Sequence, residues 1–230
     1  INKMARKISA LLENVRQEKE MQHLTELQLI QAQVNPHFLY NTLDTIVWLI
    51  EGGMTDDAVE MISSLSIFFR TSLSKGNDII PLSEEERHTL SYLEIQQYRY
   101  RDILEFEINI PKELSGIPVP KLSIQPLAEN ALYHGIKNRR GKGKILIEGR
   151  EEEDALVLTV SDNGQGMTPE RLHEVQEAIR TGERAGFGLA AVAERIALYY
   201  GPGYGMKIFS EEGKGTTVEI RLGKNIQPKS

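Results

Sequence analysis

A helical pattern of apolar residues runs through the N-terminal part of the chain and then stops abruptly. Over the first fifteen residues the apolar positions alternate at spacings of three and four, the seam of a coiled coil, and this pattern resumes over Leu24–Val34. The helix continues to Ile50 and ends at the breaker pair Gly52-Gly53. A second helix is predicted over Asp56–Leu73. Two long helices joined by a glycine turn form a helical hairpin, and two hairpins form a four-helix bundle.

Such a long, narrow helix leaves an apolar stripe exposed unless another helix covers it. The simplest partner is a second copy of the chain, so the sequence predicts a parallel homodimer through residues 1–73. We assign residues 1–30 to a coiled-coil helix and residues 31–75 to a dimerisation hairpin.

From Ser83 onward the pattern changes to short helices and strands in alternation. Ser83–Glu86 has the form of a capping box, which opens a helix that ends near Tyr100. The mixture predicts an α+β fold for residues 83–225, with a sheet of four or five strands. Strands are expected at Glu105–Ile110, Lys144–Arg150, Ala155–Val160, Met206–Ser210 and Thr216–Leu222, and helices at Leu122–Gly135, Pro169–Thr181 and Gly188–Tyr200.

Composition excludes several classes of function. The 230 residues include no cysteine, which excludes disulfides, zinc thiolate sites and thiol catalysis. A formal net charge of −6 without a basic patch argues against nucleic acid as a direct partner. No apolar run reaches the roughly 18 residues of a membrane helix. Because the chain begins with Ile and lacks a signal segment, we expect a soluble piece of a longer protein, without membrane contact of its own.

Two motifs in the second half carry polar side chains suited to a nucleotide. Asn130 lies on a predicted helix, where its amide oxygen could complete the coordination of a Mg²⁺ ion held by triphosphate oxygens. Asp162 ends a strand just before Gly164 and Gly166, and could accept a hydrogen bond from the exocyclic amine of a buried base. Taken alone, Asn130 is as easily a backbone cap, and Asp162 as easily part of a surface turn.

Two further glycine motifs follow. Gly186 and Gly188 stand just before a predicted helix, whose N-terminal N–H groups could hold phosphates. Gly213, Gly215 and Thr216 close the last hairpin, for which a tight β-turn is an adequate explanation on its own. The functional interpretation therefore depends on the order of all four motifs.

The segment QVNPHFLYN (Gln33–Asn41) places His37 directly after Pro36 in the first helix, and Pro36 can kink that helix. Asn41 lies one turn further on and could orient the imidazole ring. A ring nitrogen can act as the nucleophile in phosphoryl transfer. A helical histidine is more often structural, so this assignment rests on the motif context; His88, among polar residues, is expected to face solvent.

Five segments together resemble a known family. ENALYHG (Glu129–Gly135), DNGQGM (Asp162–Met167), AGFGL and GKGTT are similar to the N, G1, G2 and G3 boxes of the histidine-kinase ATP-binding domain, the Bergerat fold shared with the Hsp90, gyrase and MutL ATPases. QVNPHFLYNTLDTI resembles the H-box of LytS/YesM-type sensor histidine kinases. The resemblance covers roughly Gln28 to Leu222. It implies a histidine phosphotransfer hairpin at 31–75 and an α/β-sandwich ATP-binding domain at 83–225.

The resemblance also implies an activity and its partners. These are binding of ATP and Mg²⁺, autophosphorylation on His37, and phosphotransfer to an Asp in the receiver domain of a response regulator. The chain would be the cytoplasmic portion of a membrane-anchored bacterial protein with a HAMP-like segment upstream. The implied ATP-binding residues are Asn130, which would also hold Mg²⁺, His134, Asp162, Gly164, Gly166, Gly186, Gly188, Leu189, Gly213, Gly215 and Thr216.

Three positions depart from the family pattern. One is Phe38, where many other histidine kinases carry an acidic residue straight after the phosphorylated histidine. Pro126 stands where related ATPases often carry an acidic or amide residue, so the carboxylate that activates water is missing, which disfavours hydrolysis but not transfer to histidine. Tyr133 replaces a lysine, and Arg139, Arg140 or Lys142 could supply the phosphate contact instead. The alternatives are a Bergerat ATPase clamp without histidine phosphorylation and a degenerate kinase that serves as a dimeric scaffold.

Overall fold

A computed structural model of the chain describes residues 36–72, 78–137, 139–181 and 188–224. The predicted coiled coil at 1–30 and Gly186 of the third glycine motif lie outside these residues. The chain divides into two compact units, Ile1–Trp48 and Leu49–Ser230. Within the described ranges, none of the helices combines the length and hydrophobicity that crossing a bilayer requires.

The first two helices meet at the predicted glycine pair. Helix α1 covers Pro36–Glu51 and helix α2 covers Thr55–Ser72. The N–H of Met54 donates to the carbonyl of Leu49 at 2.8 Å and that of Gly53 to the carbonyl of Ile50 at 3.0 Å, which is a Schellman motif. Gly53 has a φ of 75°, a conformation that favours glycine. The predicted helix break is therefore confirmed.

The described residues of the second unit contain seven strands: β1 (Ile79–Pro81), β2 (Leu104–Asn109), β3 (Pro118–Pro120), β4 (Gly143–Glu151), β5 (Ala155–Asp162), β6 (Gly205–Glu211) and β7 (Gly215–Gly223). Five of them form one sheet in the order β2-β4-β5-β7-β6, in which β2 and β4 run parallel and the other pairs antiparallel. The remaining two, β1 and β3, pair in a small antiparallel sheet. This small sheet is not predictable from the sequence, because its short, proline-containing strands resemble connectors.

The main sheet has one apolar and one charged face. Ile147, Val160 and Val218 lie side by side across β4, β5 and β7, and all three are buried. On the opposite face Arg150 pairs with Glu219 at 2.7 Å, and such partly exposed pairs add little stability. Burial of the apolar face is therefore what holds the helices to the sheet.

The helices that complete this unit are α3 (Leu82–Arg99), a 3₁₀ turn (Lys112–Leu114), α4 (Gln125–Asn130), a π-helical segment (Ala131–Ile136), α5 (Pro169–Thr181) and α6 (Gly188–Tyr200). The π-helical segment packs on β4, β5 and β7, while α5 contacts β6 and α6 contacts β6 and β7. A layer of helices on one face of a mixed sheet confirms the predicted α+β fold.

Helix α3 does not begin with the predicted capping box. Its N-cap is Pro81, and no side chain caps it. The N–H groups of Leu82 and Ser83 donate instead to the carbonyls of Ile117 (2.9 Å) and Ser115 (3.0 Å), in the segment before β3. Because a neighbouring backbone already satisfies these donors, the capping box predicted at Ser83–Glu86 is wrong.

Glu85 has a different role from the one the capping box gave it. Its side chain is fully buried, and its two carboxyl oxygens accept the N–H groups of Leu122 and Ile124, both at 2.8 Å. Leu122 has a φ of 60°, in the left-handed region, and is therefore not helical. The helix predicted to begin at Leu122 begins at Gln125 instead. Arg195 of α6 donates to the carbonyl of Leu122 at 3.2 Å. These contacts hold the loop from which α4 starts.

We predict that Glu85→Ala destabilises the fold by about 2–4 kcal/mol, because it leaves the buried N–H of Ile124 and the partly buried N–H of Leu122 without an acceptor. Glu85→Gln should cost less, since one amide oxygen can still accept one of these bonds. Denaturant unfolding measures both effects. The matched control is the exposed neighbour Glu84→Gln, which should change the unfolding free energy by less than about 0.5 kcal/mol. Equal effects of Glu85→Ala and Glu84→Gln would contradict the structural role of Glu85.

Candidate functional site

Asp162 is the last residue of β5 and faces the same side of the sheet as the apolar core. Its position is paired with Ile145 of β4 and with Thr216 of β7, and only 9% of the residue is exposed. One carboxyl oxygen accepts the N–H of Gly164 at 2.8 Å. The DNG sequence therefore turns the chain while its aspartate points inward.

Three glycines allow the backbone to approach Asp162 closely. A Cβ atom on Gly135 would lie within 2.6 Å of Asp162 Cγ, so an alanine there would overlap the carboxyl group. A Cβ on Gly164 would overlap the backbone of Gly135. Gly215 has a φ of 115°, and a Cβ there would overlap the backbone of Asp162. Glycine is thus required at these positions by space and, at Gly215, also by conformation.

A cavity of about 340 Å³ opens beside Asp162. Its wall brings together the π-helical segment, the end of β5, the loop before α5, the start of α6 and the hairpin between β6 and β7. The described residues that line it are Asn130, His134, Gly135, Asp162, Gln165, Gly166, Met167, Thr168, Arg171, Val175, Leu189, Glu212 and Thr216.

Six residues of the predicted ATP site lie in this wall: Asn130, His134, Asp162, Gly166, Leu189 and Thr216. Gly164 and Gly215 lie behind the wall, against Gly135 and Asp162. The N–H of Gly213 donates to the carbonyl of Gln165 at 2.6 Å and so ties the hairpin to the G1 loop. Gly188 lies near Pro126, and Gly186 lies outside the described residues.

The positively charged side chain in the cavity wall, Arg171, is not one of the three candidates predicted from the sequence. Arg139 donates to the carbonyl of Asn163, and Lys142 pairs with Glu105 at 3.0 Å; neither lines the cavity, and nor does Arg140. Arg171, in the first turn of α5, does line it and pairs with Glu174 at 2.7 Å. Arg171 was not predicted, because a single arginine on a polar helix carries no local signal, and no role was predicted for Gly135.

Burial sets the charge of two side chains in the wall. It raises the pKa of Asp162 to about 6, although the N–H groups of Gly164 and Thr216 and the charge of Arg139 act to lower it. Burial also lowers the pKa of His134, and the nearby charge of Arg171 lowers it further. At neutral pH the cavity therefore presents an ionised carboxylate and a neutral imidazole.

His37 lies in the first turn of α1 and is exposed. Asn41, one turn further on, contacts the ring, with its amide nitrogen 3.0 Å from Nδ1 of His37. The predicted contact between these two side chains is therefore confirmed. Because an asparagine amide can rotate to present either its nitrogen or its oxygen, Asn41 can hold either tautomer of the neutral ring.

Comparisons with known proteins agree with this arrangement. The histidine kinase profile matches residues 25–104, and the profile of the histidine kinase-, DNA gyrase B- and HSP90-like ATPases matches residues 120–226. The sensor histidine kinase YesM of Bacillus subtilis (strain 168) is 36% identical over 219 residues, which is 95% of this chain and 37% of that protein. The chain belongs to the sensor histidine kinase family.

Two other relatives show the same degree of similarity. The sensor histidine kinase BtsS of Escherichia coli (strain K12) is 33% identical over 205 residues, which cover 89% of this chain and 34% of that protein. The sensor protein LytS of Staphylococcus saprophyticus is 34% identical over 199 residues, with coverage of 86% and 33%. The chain thus spans about a third of the length of these curated histidine kinase relatives, and the predicted resemblance to LytS/YesM-type kinases is confirmed.

We predict that Gly135→Ala in this histidine kinase chain weakens the binding of Mg·ATP by at least about tenfold, because the new methyl group displaces the Asp162 carboxylate. Isothermal titration calorimetry measures the affinity. Gly116→Ala is the matched control: its Cβ would meet nothing within 4 Å, and it should bind as the wild type does. Unchanged affinity of Gly135→Ala would show that the close contact with Asp162 has no part in binding.

We predict opposite effects of Asp162→Asn on stability and on affinity. Because the pKa of Asp162 is about 6 in the folded chain and ordinarily 3.8, the folded state binds this proton more tightly, and wild-type stability falls as pH rises from 4 to 6. Removing the charge should make the variant more stable at pH 7.5 by on the order of 1–3 kcal/mol, with little difference at pH 4. Affinity for Mg·ATP should fall about 10- to 100-fold.

Denaturant unfolding at pH 4 and pH 7.5, with calorimetry at pH 7.5, separates the two effects. A variant that is less stable than the wild type at pH 7.5 would contradict the cost assigned to the buried charge. A variant that binds Mg·ATP normally would show that Asp162 is only a turn residue.

Proposed function

We propose that the chain is the catalytic core of a sensor histidine kinase, which binds Mg·ATP in the cavity beside Asp162 and transfers the γ-phosphoryl group to His37. The observation that carries this proposal is the buried Asp162 carboxylate, held among glycines at a cavity whose wall also contains Asn130. Membership of the histidine kinase family supports it. The domain boundaries proposed are those of the sequence analysis: 1–30, 31–75 and 83–225.

The proposed role of Asp162 is to accept a hydrogen bond from the exocyclic amine of adenine. An ionised carboxylate is an acceptor only, so it favours a base that offers N–H groups. Its burial makes that bond strong, because little water competes for the carboxyl oxygens. Gly166, Gly213, Gly215 and Thr216 would shape the loops around the bound nucleotide.

The proposed role of Asn130 is to hold Mg²⁺ together with the triphosphate. Among the described residues, no group of three or more acidic, histidine or cysteine side chains could hold a metal without a nucleotide. The amide oxygen of Asn130 suits Mg²⁺, which keeps several waters and binds one or two protein ligands alongside phosphate oxygens. Bound Mg²⁺ would supply charge neutralisation at the phosphates.

The phosphates would extend toward Arg171, His134 and the start of α6. Arg171 is the cation in the described cavity wall, so we assign it the phosphate contact that a lysine makes at the position of Tyr133 in related kinases. Gly186, Gly188 and Leu189 belong to the proposed lid over the phosphates, where the N–H groups at the start of α6 can bind phosphate oxygens.

In the proposed transfer, a ring nitrogen of His37 forms a bond to the γ-phosphorus as the bond to the bridging oxygen of ADP breaks. The ring proton is then lost to solvent or to a base. When the amide oxygen of Asn41 accepts the proton on Nδ1, the lone pair of Nε2 remains available for attack, which makes Asn41 the orienting residue. The absence of a water-activating carboxylate at Pro126 favours this transfer over hydrolysis.

The proposed partner in the dimer is a second copy of the chain. Tyr40, Leu43, Val47 and Ile50 are exposed at spacings of three and four along one face of α1. A stripe of this kind is typical of a surface that another helix covers. The phosphoryl group would then pass to an Asp of a response regulator, and a membrane sensor with a HAMP-like segment would lie upstream.

We predict that His37→Gln abolishes phosphoryl labelling of the chain by γ-labelled ATP, because glutamine has no nucleophilic ring nitrogen. Affinity for Mg·ATP should stay at the wild-type value, since His37 and the ATP cavity belong to different units of the chain. Asn41→Ala should keep the acceptor but lower the labelling rate by about 10- to 100-fold through lost orientation.

The chemistry of the label distinguishes the alternatives. Acid-labile, alkali-stable label on the protein supports the kinase, release of free phosphate alone supports an ATPase clamp, and neither supports a scaffold. Acid-labile label on the His37→Gln protein would place the acceptor elsewhere. Mixed dimers of His37→Gln and Asn130→Ala chains would take up label only if each ATP site serves the opposite His37.

A further inference from the structure

His88 of α3 is a buried histidine that the proposed chemistry does not use. Only 1% of the residue is exposed, so the expectation that it faces solvent is wrong. Its ring stacks on Phe68 of α2, with the centroids 4.7 Å apart and the planes 17° from parallel. The apolar residues of α2 explain its burial, because they cover the side of α3 that carries His88.

Both ring nitrogens of His88 have partners on other elements. Nδ1 lies 2.7 Å from the hydroxyl of Thr71, in the last turn of α2. Nε2 lies 2.7 Å from Oε1 of Gln125, the first residue of α4. The ring therefore joins the end of the helix that follows the His37-bearing helix to the start of the helix that ends at Asn130.

The protonation of His88 determines the direction of these bonds. Burial lowers its pKa to about 4, so at neutral pH the ring carries one proton. With Oε1 of Gln125 facing the ring, this proton lies on Nε2 and Nδ1 accepts from Thr71, and the carbonyl of Phe68 is a further polar neighbour of the ring. The hydroxyl of Thr71 also lies 2.9 Å from the carbonyl of Ile67, and it has a single proton to donate. The carbonyl of Phe68 lies 3.0 Å from it as well, so His88 and the backbone of α2 compete for this one proton.

A second contact joins the end of α2 to the loop that precedes α4. Lys121 donates from Nζ to the carbonyl of Ser72, the last residue of α2. Lys121 and Leu122 are also held by Arg195, and Leu122 by Glu85 one turn before His88. A movement of the last turn of α2 would therefore displace the loop from which α4 begins.

The path from Gln125 to the cavity is short and helical throughout. Asn130 is the last residue of α4, and the π-helical segment follows without a break and carries His134 and Gly135 into the cavity wall. The described residues of this path contain no loop in which a displacement of Gln125 could be absorbed.

We propose that the Thr71–His88–Gln125 bridge is a positioning device that couples the end of α2 to the nucleotide site. The hydroxyl of Thr71 bonded to His88 holds Gln125, and through it Asn130, in the geometry that binds Mg·ATP. When the hydroxyl turns to its own helix, Nδ1 loses its donor and the hold on Gln125 weakens. This inference rests on the proposed ATP-binding function and adds a route by which the helices regulate it.

The test measures the dissociation constant of Mg·ATP at a temperature well below unfolding, in the whole chain. Thr71→Val keeps the shape of the side chain but removes the hydroxyl, and should raise the constant about three- to tenfold, the effect of one neutral hydrogen bond. Thr71→Ser keeps the hydroxyl and should restore wild-type affinity. Ser66→Ala, at an exposed position of α2, is the control and should have no effect.

A double-mutant cycle tests whether His88 carries the coupling. His88→Leu should weaken Mg·ATP binding by a similar factor, and Thr71→Val should add nothing in that background. The proposal would be overturned if the two substitutions raised the dissociation constant independently, so that their factors multiply in the double variant. It would also be overturned if Thr71→Val lowered the stability of the chain but left the affinity for Mg·ATP unchanged. If His88→Leu fails to fold, the Thr71→Val and Thr71→Ser pair still decides. A wild-type chain that does not bind Mg·ATP would instead refute the proposed function itself.

Discussion

The close approach of the Gly135 backbone to the Asp162 carboxyl group is the constraint on which the rest of the site depends. It brings the helical layer against the end of β5 and leaves no room for a side chain between them. The cost of burying a carboxylate is visible in the raised pKa of Asp162. A fold that tolerates this cost keeps a strong acceptor in a partly dry cavity, which is consistent with the proposed recognition of an adenine amine.

The second constraint is the loop that precedes α4, because it determines where Asn130 lies. Leu122 adopts a left-handed conformation there, held by the buried Glu85 of α3 and by Arg195 of α6. His88, one turn after Glu85, links the same point to α2. Helix α3 therefore does more than pack on the sheet. It holds the loop that precedes α4, and it provides the proposed connection to α2.

The features that were predicted correctly from the sequence depend on local interactions, whereas the features that were missed depend on contacts between distant residues. The break at Gly52-Gly53 and the position of Asp162 at the end of a strand are local properties, and both were predicted correctly. The role of Glu85 could not be found in this way, because its partners lie 37 and 39 residues further along the chain. The capping box was a valid local pattern that a longer-range backbone contact replaced. The burial of His88 and the place of Arg171 in the cavity wall likewise depend on packing between distant elements.

The central claim is that Asp162 binds the exocyclic amine of adenine in the cavity beside Gly135. The most direct measurement compares the binding of Mg·ATP with that of Mg·ITP, which carries a carbonyl oxygen in place of the amine. The proposed role predicts that ITP binds at least about tenfold more weakly to the wild type, because its oxygen faces the carboxylate without a proton. It also predicts that Asp162→Asn removes most of this difference. Equal affinities of the wild-type chain for ATP and ITP would contradict the claim.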